Sequence, residues 1–228
     1  MSKPLKIGHR GAKAHVPENT IASIEKALQL GVDGIEIDVH KCASGEIVVF
    51  HDFNLDRLTN SHGEISNYTL LELKNLKVAK QFEIPTLVEV LDYINGKCLL
   101  NIELKGKDTA LETSKIITQY LNSPNWYINQ FLISSFDFQE LESFYTINKN
   151  VRLGVLTESN IEEALTFAQT INAYSIHPDY NLLNADSVKL IQDSGYKVFT
   201  WTVNGIEAIK RMADYNVDAI ISDNPERL

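Results

Sequence analysis

Four short clusters carry most of the chemistry this chain could do: Gly8-His9-Arg10-Gly11, Glu36-Ile37-Asp38, His51-Asp52 and Glu103-Leu104-Lys105. Strand alternation sorts the second cluster: Ile35, Ile37 and Val39 turn one way, Glu36 and Asp38 the other. Two carboxylates at i and i+2 lie roughly 7 Å apart along a strand, close enough to share one ion. The run Cys98 to Lys105 repeats the pattern, with Ile102 and Leu104 on one side and Asn101, Glu103 and Lys105 on the other. Three carboxylates turned into one apolar interior repel each other strongly unless positive charge joins them. Arg10, Lys105 and protonated histidines are one source of that charge, and a metal ion is the better one. Glu36, Asp38 and Glu103 offer only oxygen, so the ion should be hard: Mg²⁺, Ca²⁺ or Mn²⁺. Zinc would need imidazole or thiolate at a spacing that is missing here.

His9 closes the first strand-like run between Gly8 and Gly11, glycines that allow a tight turn and close approach to a ligand. Arg10 beside it presents a planar fork suited to phosphate oxygens. His51 ends another short run, where Asp52 either orients it or caps the turn that follows. A strand-end histidine is more often structural than catalytic. The cation and carboxylates at the same end favour catalysis for both His9 and His51. Such a set suits holding a divalent metal against a phosphodiester while one histidine removes a proton and the other delivers one. His15, His40, His62 and His177 are read as packing or surface residues. His40, on the side of Asp38, is the nearest exception, and His177 could line the mouth.

The elements that must position these groups alternate along the whole chain. Leu5 to His9, Gly34 to His40, Cys98 to Lys105, 131–135, 152–157, 173–177, 197–203 and 218–222 read as strands, with helical runs between them. Pro17-Glu18-Asn19-Thr20 opens the first helix, and Gly31 ends it. Ile47 to Phe50 makes a ninth strand. It follows too closely for a parallel crossover, so it should fold back as a hairpin through Gly45. Eight strands with seven intervening helices predict an α/β fold, a closed (β/α)8 TIM barrel. An insertion at about 41–85, with a short helix at Thr69 to Leu76, should fold over the barrel mouth. The eighth helix can be no more than a turn after Asn224-Pro225.

The 228 residues suffice for one barrel domain spanning 1–228. A net charge of -9 argues against nucleic acid as a partner, while leaving room for a small phosphate ligand beside a metal, Arg10 and Lys105. Cys42 and Cys98 fit no metal or redox spacing and read as small reduced residues. No apolar run approaches a membrane span, so no stable membrane anchor is expected. Met1 to Lys6 is too short and lysine-rich for a signal peptide, and a cytoplasmic protein is the expectation.

In order, His9-Arg10-Gly11, Pro17-Glu18-Asn19-Thr20, Glu36-Ile37-Asp38, Gly45, His51-Asp52 and Glu103-Leu104-Lys105 resemble the glycerophosphodiester phosphodiesterase family. The likeness continues through Trp201-Thr202-Val203-Asn204 to Ser222-Asp223-Asn224-Pro225. Each motif alone is weak, and the ordered set is specific. The resemblance implies one divalent metal on Glu36, Asp38 and Glu103, His9 as base and His51 as acid, and Arg10 and Lys105 on the phosphate. It also implies Trp201 as a wall for the alcohol portion, unless Trp201 only packs the barrel rim. Glu18 and Asn19 belong to the same pattern, with Asn19 serving mainly as a helix cap. The implied reaction turns a small glycerophosphodiester into glycerol 3-phosphate and an alcohol. The shortened last helix is the one departure. Two rivals share these residues. A phospholipase D-like lysolipid reaction would need an apolar groove, for which Phe53, Leu55 and Tyr68 are candidates, although they could equally be the insertion's own core. A binding-only barrel should have lost a histidine or a carboxylate.

Overall fold

The computed structural model describes residues 3–228. Strands β1 (Leu5–His9), β2 (Gly34–Lys41) and β3 (Ile47–Val49) come first, with helix α1 (Ile21–Gln29) between the first two. The insertion then supplies α2 (Leu70–Lys74), and α3 (Leu87–Ile94) leads to β4 (Leu99–Leu104). Next come α4 (Ala110–Leu121), β5 (Phe131–Ser135), α5 (Phe138–Ile147), β6 (Arg152–Thr157), α6 (Ile161–Thr170) and β7 (Ser175–Pro178). The chain finishes with α7 (Ala185–Asp193), β8 (Lys197–Thr200), α8 (Ile206–Asp214), β9 (Ala219–Ser222) and a single 3₁₀ turn at Pro225–Arg227. All parallel neighbours pair in sequence order once β3 is set aside, and β1 joins both β2 and β9, closing an eight-stranded TIM barrel. A single 3₁₀ turn follows β9, the strand expected at 197–203 ends at Thr200 so that Trp201 lies beyond it, and most other boundaries differ by one or two residues.

β3 runs antiparallel to β2, with Gly45 at φ +103° in the turn, as the short connection requires. Outward side chains Ile35, Ile37, Val39, Ile102 and Leu104 are fully buried against helix residues such as Val90, Leu91 and Ile117. Each such side chain contributes about 1.5–3 kcal/mol by leaving water, so the period-two pattern is strongly enforced. Inside the barrel the lower layer is apolar, from Ile7, Leu132, Phe199, Ala219 and Ile221. The insertion has its own small core of Phe50, Leu55, Ile65, Leu73, Val78 and Ile84, with Tyr68 packed against it. Leu55 and Tyr68 are therefore insertion packing, and of the three residues only Phe53 is exposed. Cys42 and Cys98 are both buried free thiols. No helix among the described residues is long and apolar enough to cross a membrane.

Register is what brings the clusters together. Asp38 pairs with Glu103 across β2 and β4, and His9 pairs with Glu36 across β1 and β2. Four groups from three strands thus reach one barrel end. The loop after β4, which carries Lys105, is pinned by a carboxylate from α5: Glu140 accepts from the backbone N–H groups of Asp108, Thr109 and Ala110 at 2.6–3.1 Å. It satisfies the free donors at the start of α4, where Thr109 makes no capping bond of its own.

Candidate active site

The polar ends of the strands line one cavity of about 180 Å³, walled by His9, Arg10, Glu36, His51, Glu103, Lys105 and Trp201 among others. Glu36, Asp38 and Glu103 are all buried, and one oxygen from each lies within 4.8 Å of the other two. Glu36 Oε1 is buried with no hydrogen-bond partner among the described residues, as is Asn101 Oδ1 beside it. An orphaned buried carboxylate oxygen within a convergent oxygen-only donor set fits a hard divalent cation. Burial first, then the charges of Asp38 and Glu103, push the Glu36 carboxyl well up. Burial and Asp38 likewise raise Glu103 to about 7 against the opposing pull of Lys105. Asp38 goes the other way: burial would raise it, but Arg10, His51, Lys105 and the Asn19 amide outweigh that and hold it low.

Both cations turn toward these acids. Lys105 Nζ lies 2.8 Å from Glu103 Oε1 and 4.0 Å from Asp38 Oδ1, while Arg10 Nε lies 3.4 Å from Asp38 Oδ2. The alternative source of compensating charge is therefore real, yet it leaves Glu36 Oε1 unserved. Arg10 takes up a left-handed backbone (φ +51°), and its N–H donates to Glu36 Oε2 at 2.9 Å. Gly11 continues the left-handed turn at φ +88°. A Cβ on Gly8 would lie 2.3 Å from Gly11 O, and one on Gly11 2.4 Å from Ser23 Oγ. These glycines thus serve the close seating of the loop on itself and on α1.

Each histidine is held by a carboxylate. His9 Nδ1 lies 2.6 Å from Asp223 Oδ1, and Asn204 Nδ2 donates to the other Asp223 oxygen at 2.9 Å. His51 Nδ1 lies 2.6 Å from Asp52 Oδ1. This bonding assigns the ring proton to Nδ1 in both, leaving Nε2 unprotonated in the neutral ring. Arg10 Nε donates to His9 Nε2 at 3.2 Å, and His51 Nε2 has no partner among the described residues. Burial lowers both imidazoles below their ordinary value, more than their carboxylate partners raise them. Burial would raise Asp223, but the His9 bond dominates with its allies and brings it to about 2.

Asp52 thus orients His51 rather than only capping a turn. Asn19 is a correction: Thr20 caps α1, accepting from Ser23 N at 3.1 Å, while the Asn19 amide donates to Asp38 Oδ2 at 2.8 Å. The N-cap preference shared by Asn and Thr cannot distinguish Asn19 from its neighbour Thr20. Sequence reasoning gave Asp223 no role, although its place at the end of β9, beside β1, was a usable signal. Trp201 donates from Nε1 to His177 O at 2.8 Å and meets Phe136 edge-on at 5.4 Å. It both packs the rim and faces the cavity. His40 Nε2 reaches the His51 carbonyl at 3.2 Å, supporting that residue's backbone. His177 is fully buried on Ser175 and stacked on Phe199, so it does not line the mouth. His15 and His62 pair with Glu226 and Asp56 away from the cavity.

Residues 9–227 match the Glycerophosphoryl diester phosphodiesterase family. The chain belongs to that family. Among curated relatives, a glycerophosphodiester phosphodiesterase of Caldanaerobacter subterraneus is 36% identical, over 99% of this chain and 96% of that protein. One from Bacillus subtilis is 30% identical, over 97% and 84% respectively. Among solved structures, an Oleispira antarctica phosphodiesterase in complex with the product sn-glycerol-3-phosphate superposes with a TM-score of 0.90 at 30% identity, covering 99% of this chain and 95% of that one. Family membership makes the chain a phosphoric diester hydrolase and agrees with the resemblance drawn from the ordered motifs.

Proposed function

We propose that this enzyme hydrolyses glycerophosphodiesters to sn-glycerol 3-phosphate and an alcohol, as the product bound to the Oleispira relative suggests. The observation that carries the reading is a pair of imidazoles, each fixed at Nδ1 by a carboxylate 2.6 Å away, lining one cavity with a three-carboxylate cluster. Glu36, Asp38 and Glu103 would hold a divalent ion, Mg²⁺, Ca²⁺ or Mn²⁺, which would supply Lewis-acid charge. Arg10 and Lys105 bind the phosphoryl oxygens and offset the charge that grows there in the transition state. His9 Nε2 takes the proton of the attacking hydroxyl, from water or from the substrate's own glycerol 2-hydroxyl. His51 Nε2 delivers a proton to the departing alcohol oxygen. Asp223 and Asp52 keep each ring in the tautomer this exchange needs. Trp201 walls the alcohol.

A cavity of about 180 Å³ lies below the roughly 300–1,000 Å³ of drug-sized pockets, which favours a small polar diester over an acylated one. The whole chain then acts as one unit, with the 41–85 insertion contributing His51, in the cytoplasm and without a membrane anchor. The test is release of glycerol 3-phosphate from glycerophosphocholine after chelation, followed by restoring Mg²⁺, Ca²⁺ or Mn²⁺ singly. Activity should vanish on chelation and return with at least one ion. Absence of release with every ion sinks the reading.

A further inference from the structure

Arg57 stands in the insertion six residues beyond His51 and does not line the cavity. Its guanidinium nevertheless makes four hydrogen bonds to two carboxylates. Nε and Nη2 donate to Asp52 Oδ2 and Oδ1 at 2.6 and 2.8 Å. Nη2 and Nη1 donate to Glu18 Oε1 and Oε2 at 2.8 and 3.2 Å. Asp52 Oδ1 is also the atom that holds His51 Nδ1, and Glu18 Oε1 is the atom that accepts from Arg10 Nη1 at 2.6 Å. A single nitrogen, Arg57 Nη2, therefore bridges the two oxygens that orient the histidine and the phosphate-binding arginine. Lys13 Nζ approaches Glu18 Oε2 only at 3.8 Å and makes no contact with Asp52.

The backbone that carries Arg57 is anchored. Leu55 is fully buried in the insertion core, its N–H donating to Gly63 O, and Thr59 N donates to Leu55 O. Arg57 itself is about half exposed, and an ordinary surface ion pair there would contribute little. Two bidentate forks on two carboxylates differ from such a pair, because the planar guanidinium dictates the rotation of both acids. Glu18, 5% exposed, is brought to about 2 by this pairing: burial would raise it, and the bonds from Arg57 and Arg10 outweigh that.

We propose that Arg57 is a positioning residue, the clamp by which the insertion couples the orientation of His51, through Asp52, to that of Arg10, through Glu18. The inference rests on the roles given above to His51 and Arg10. Without the clamp, Asp52 can rotate away from His51, and proton delivery to the leaving oxygen suffers. That loss depends on the leaving group: an alkoxide must be protonated as it departs, whereas p-nitrophenolate leaves unaided.

The experiment compares glycerophosphocholine with the p-nitrophenyl ester of glycerol 3-phosphate in metal-loaded enzyme. Arg57→Met, which keeps the apolar stem, should lose roughly 10- to 100-fold in kcat on the choline ester and less than about threefold on the aryl ester. KM should rise on both through the Arg10 branch. Asp52→Asn should reproduce the kcat split alone, and Glu18→Gln the KM rise alone. Arg57→Lys should leave the split in place, since one ammonium cannot fork onto two carboxylates. His51→Ala is the reference. A split there with none in a folded Arg57→Met overturns the clamp alone. No split in either variant overturns the acid role of His51 and the clamp with it.

Discussion

At the scale of single residues, the site is built from pairs rather than from isolated groups. Every working side chain has a partner that fixes its rotamer: Asp223 for His9, Asp52 for His51, Asn19 for Asp38, Glu18 for Arg10. The Asp223 pairing yields a prediction of its own. Asparagine at 223 can present its amide nitrogen to His9 and stabilise the ring with its proton on Nε2, where the base must be free. Asp223→Asn should therefore lower kcat on glycerophosphocholine by about 100- to 1,000-fold, with circular dichroism unchanged. A loss under about threefold would mean that His9 is not the base or does not depend on Asp223. The candidate site residues were readable from the chain because histidines, cations and carboxylates recur together at the strand ends in one ordered set. Asp52 was readable as a partner of His51 from adjacency, whereas Asp223 and Arg57 were not, because Asp223 lies 214 residues beyond His9 and Arg57 acts through Asp52 and Glu18 from inside the insertion.

At the scale of elements, strands decide direction and loops decide reach. β2 and β4 present Glu36, Asp38 and Glu103 in register, whereas His51 arrives only because β3 folds back on β2 and Phe50 anchors the insertion core. The β4–α4 loop shows how an element end is held from outside. Glu140 on α5 takes three backbone N–H groups and the Thr109 hydroxyl. Glu140→Ala would leave the buried N–H groups of Thr109 and Ala110 unpaired, at a cost of about 2–3 kcal/mol. Thermal unfolding should show it as a clear fall in Tm, and KM should rise because the segment following Lys105 loosens. An unchanged Tm would show that water replaces the carboxylate there. Helix α4 was legible from its periodicity. Its cap was not, since the capping group comes from a different helix and no local sequence pattern reports it.

At the scale of the whole molecule, the barrel interior divides into an apolar floor and a charged mouth, with His177 buried on the β7 side between strands. His177 Nδ1 has no partner, and burial alone brings this imidazole down to about 3. Above pH 6.5 the folded and unfolded chains both hold it neutral. Between about 6.5 and 3 the unfolded chain takes up a proton that the folded barrel refuses, so stability falls as pH falls. The slope approaches about 1.4 kcal/mol per pH unit, and the total penalty is at most on the order of 5 kcal/mol. Urea unfolding between pH 6.5 and 4 should be less steeply pH-dependent in His177→Gln than in the unaltered protein. Equal slopes would mean that the folded barrel admits the proton.

By itself the sequence determined the alternation of strands and helices, the side of each strand that faces the interior, the hairpin at Gly45 and the residue types at the mouth. Those properties are local: period-two and helical patterning, and a connection too short to cross over, act within a few residues. Only the tertiary structure decided that Asp223 meets His9, that Asn19 fastens Asp38 while Thr20 caps α1, and that Arg57 joins Asp52 to Glu18. The His9–Asp223 bond depends on closing the barrel between β1 and β9, the Asn19–Asp38 bond on pairing β1 with β2, and the Arg57 bonds on seating the insertion over β2. A side chain chooses its partner from whatever the fold brings within about 3 Å, and no pattern along the chain encodes that distance.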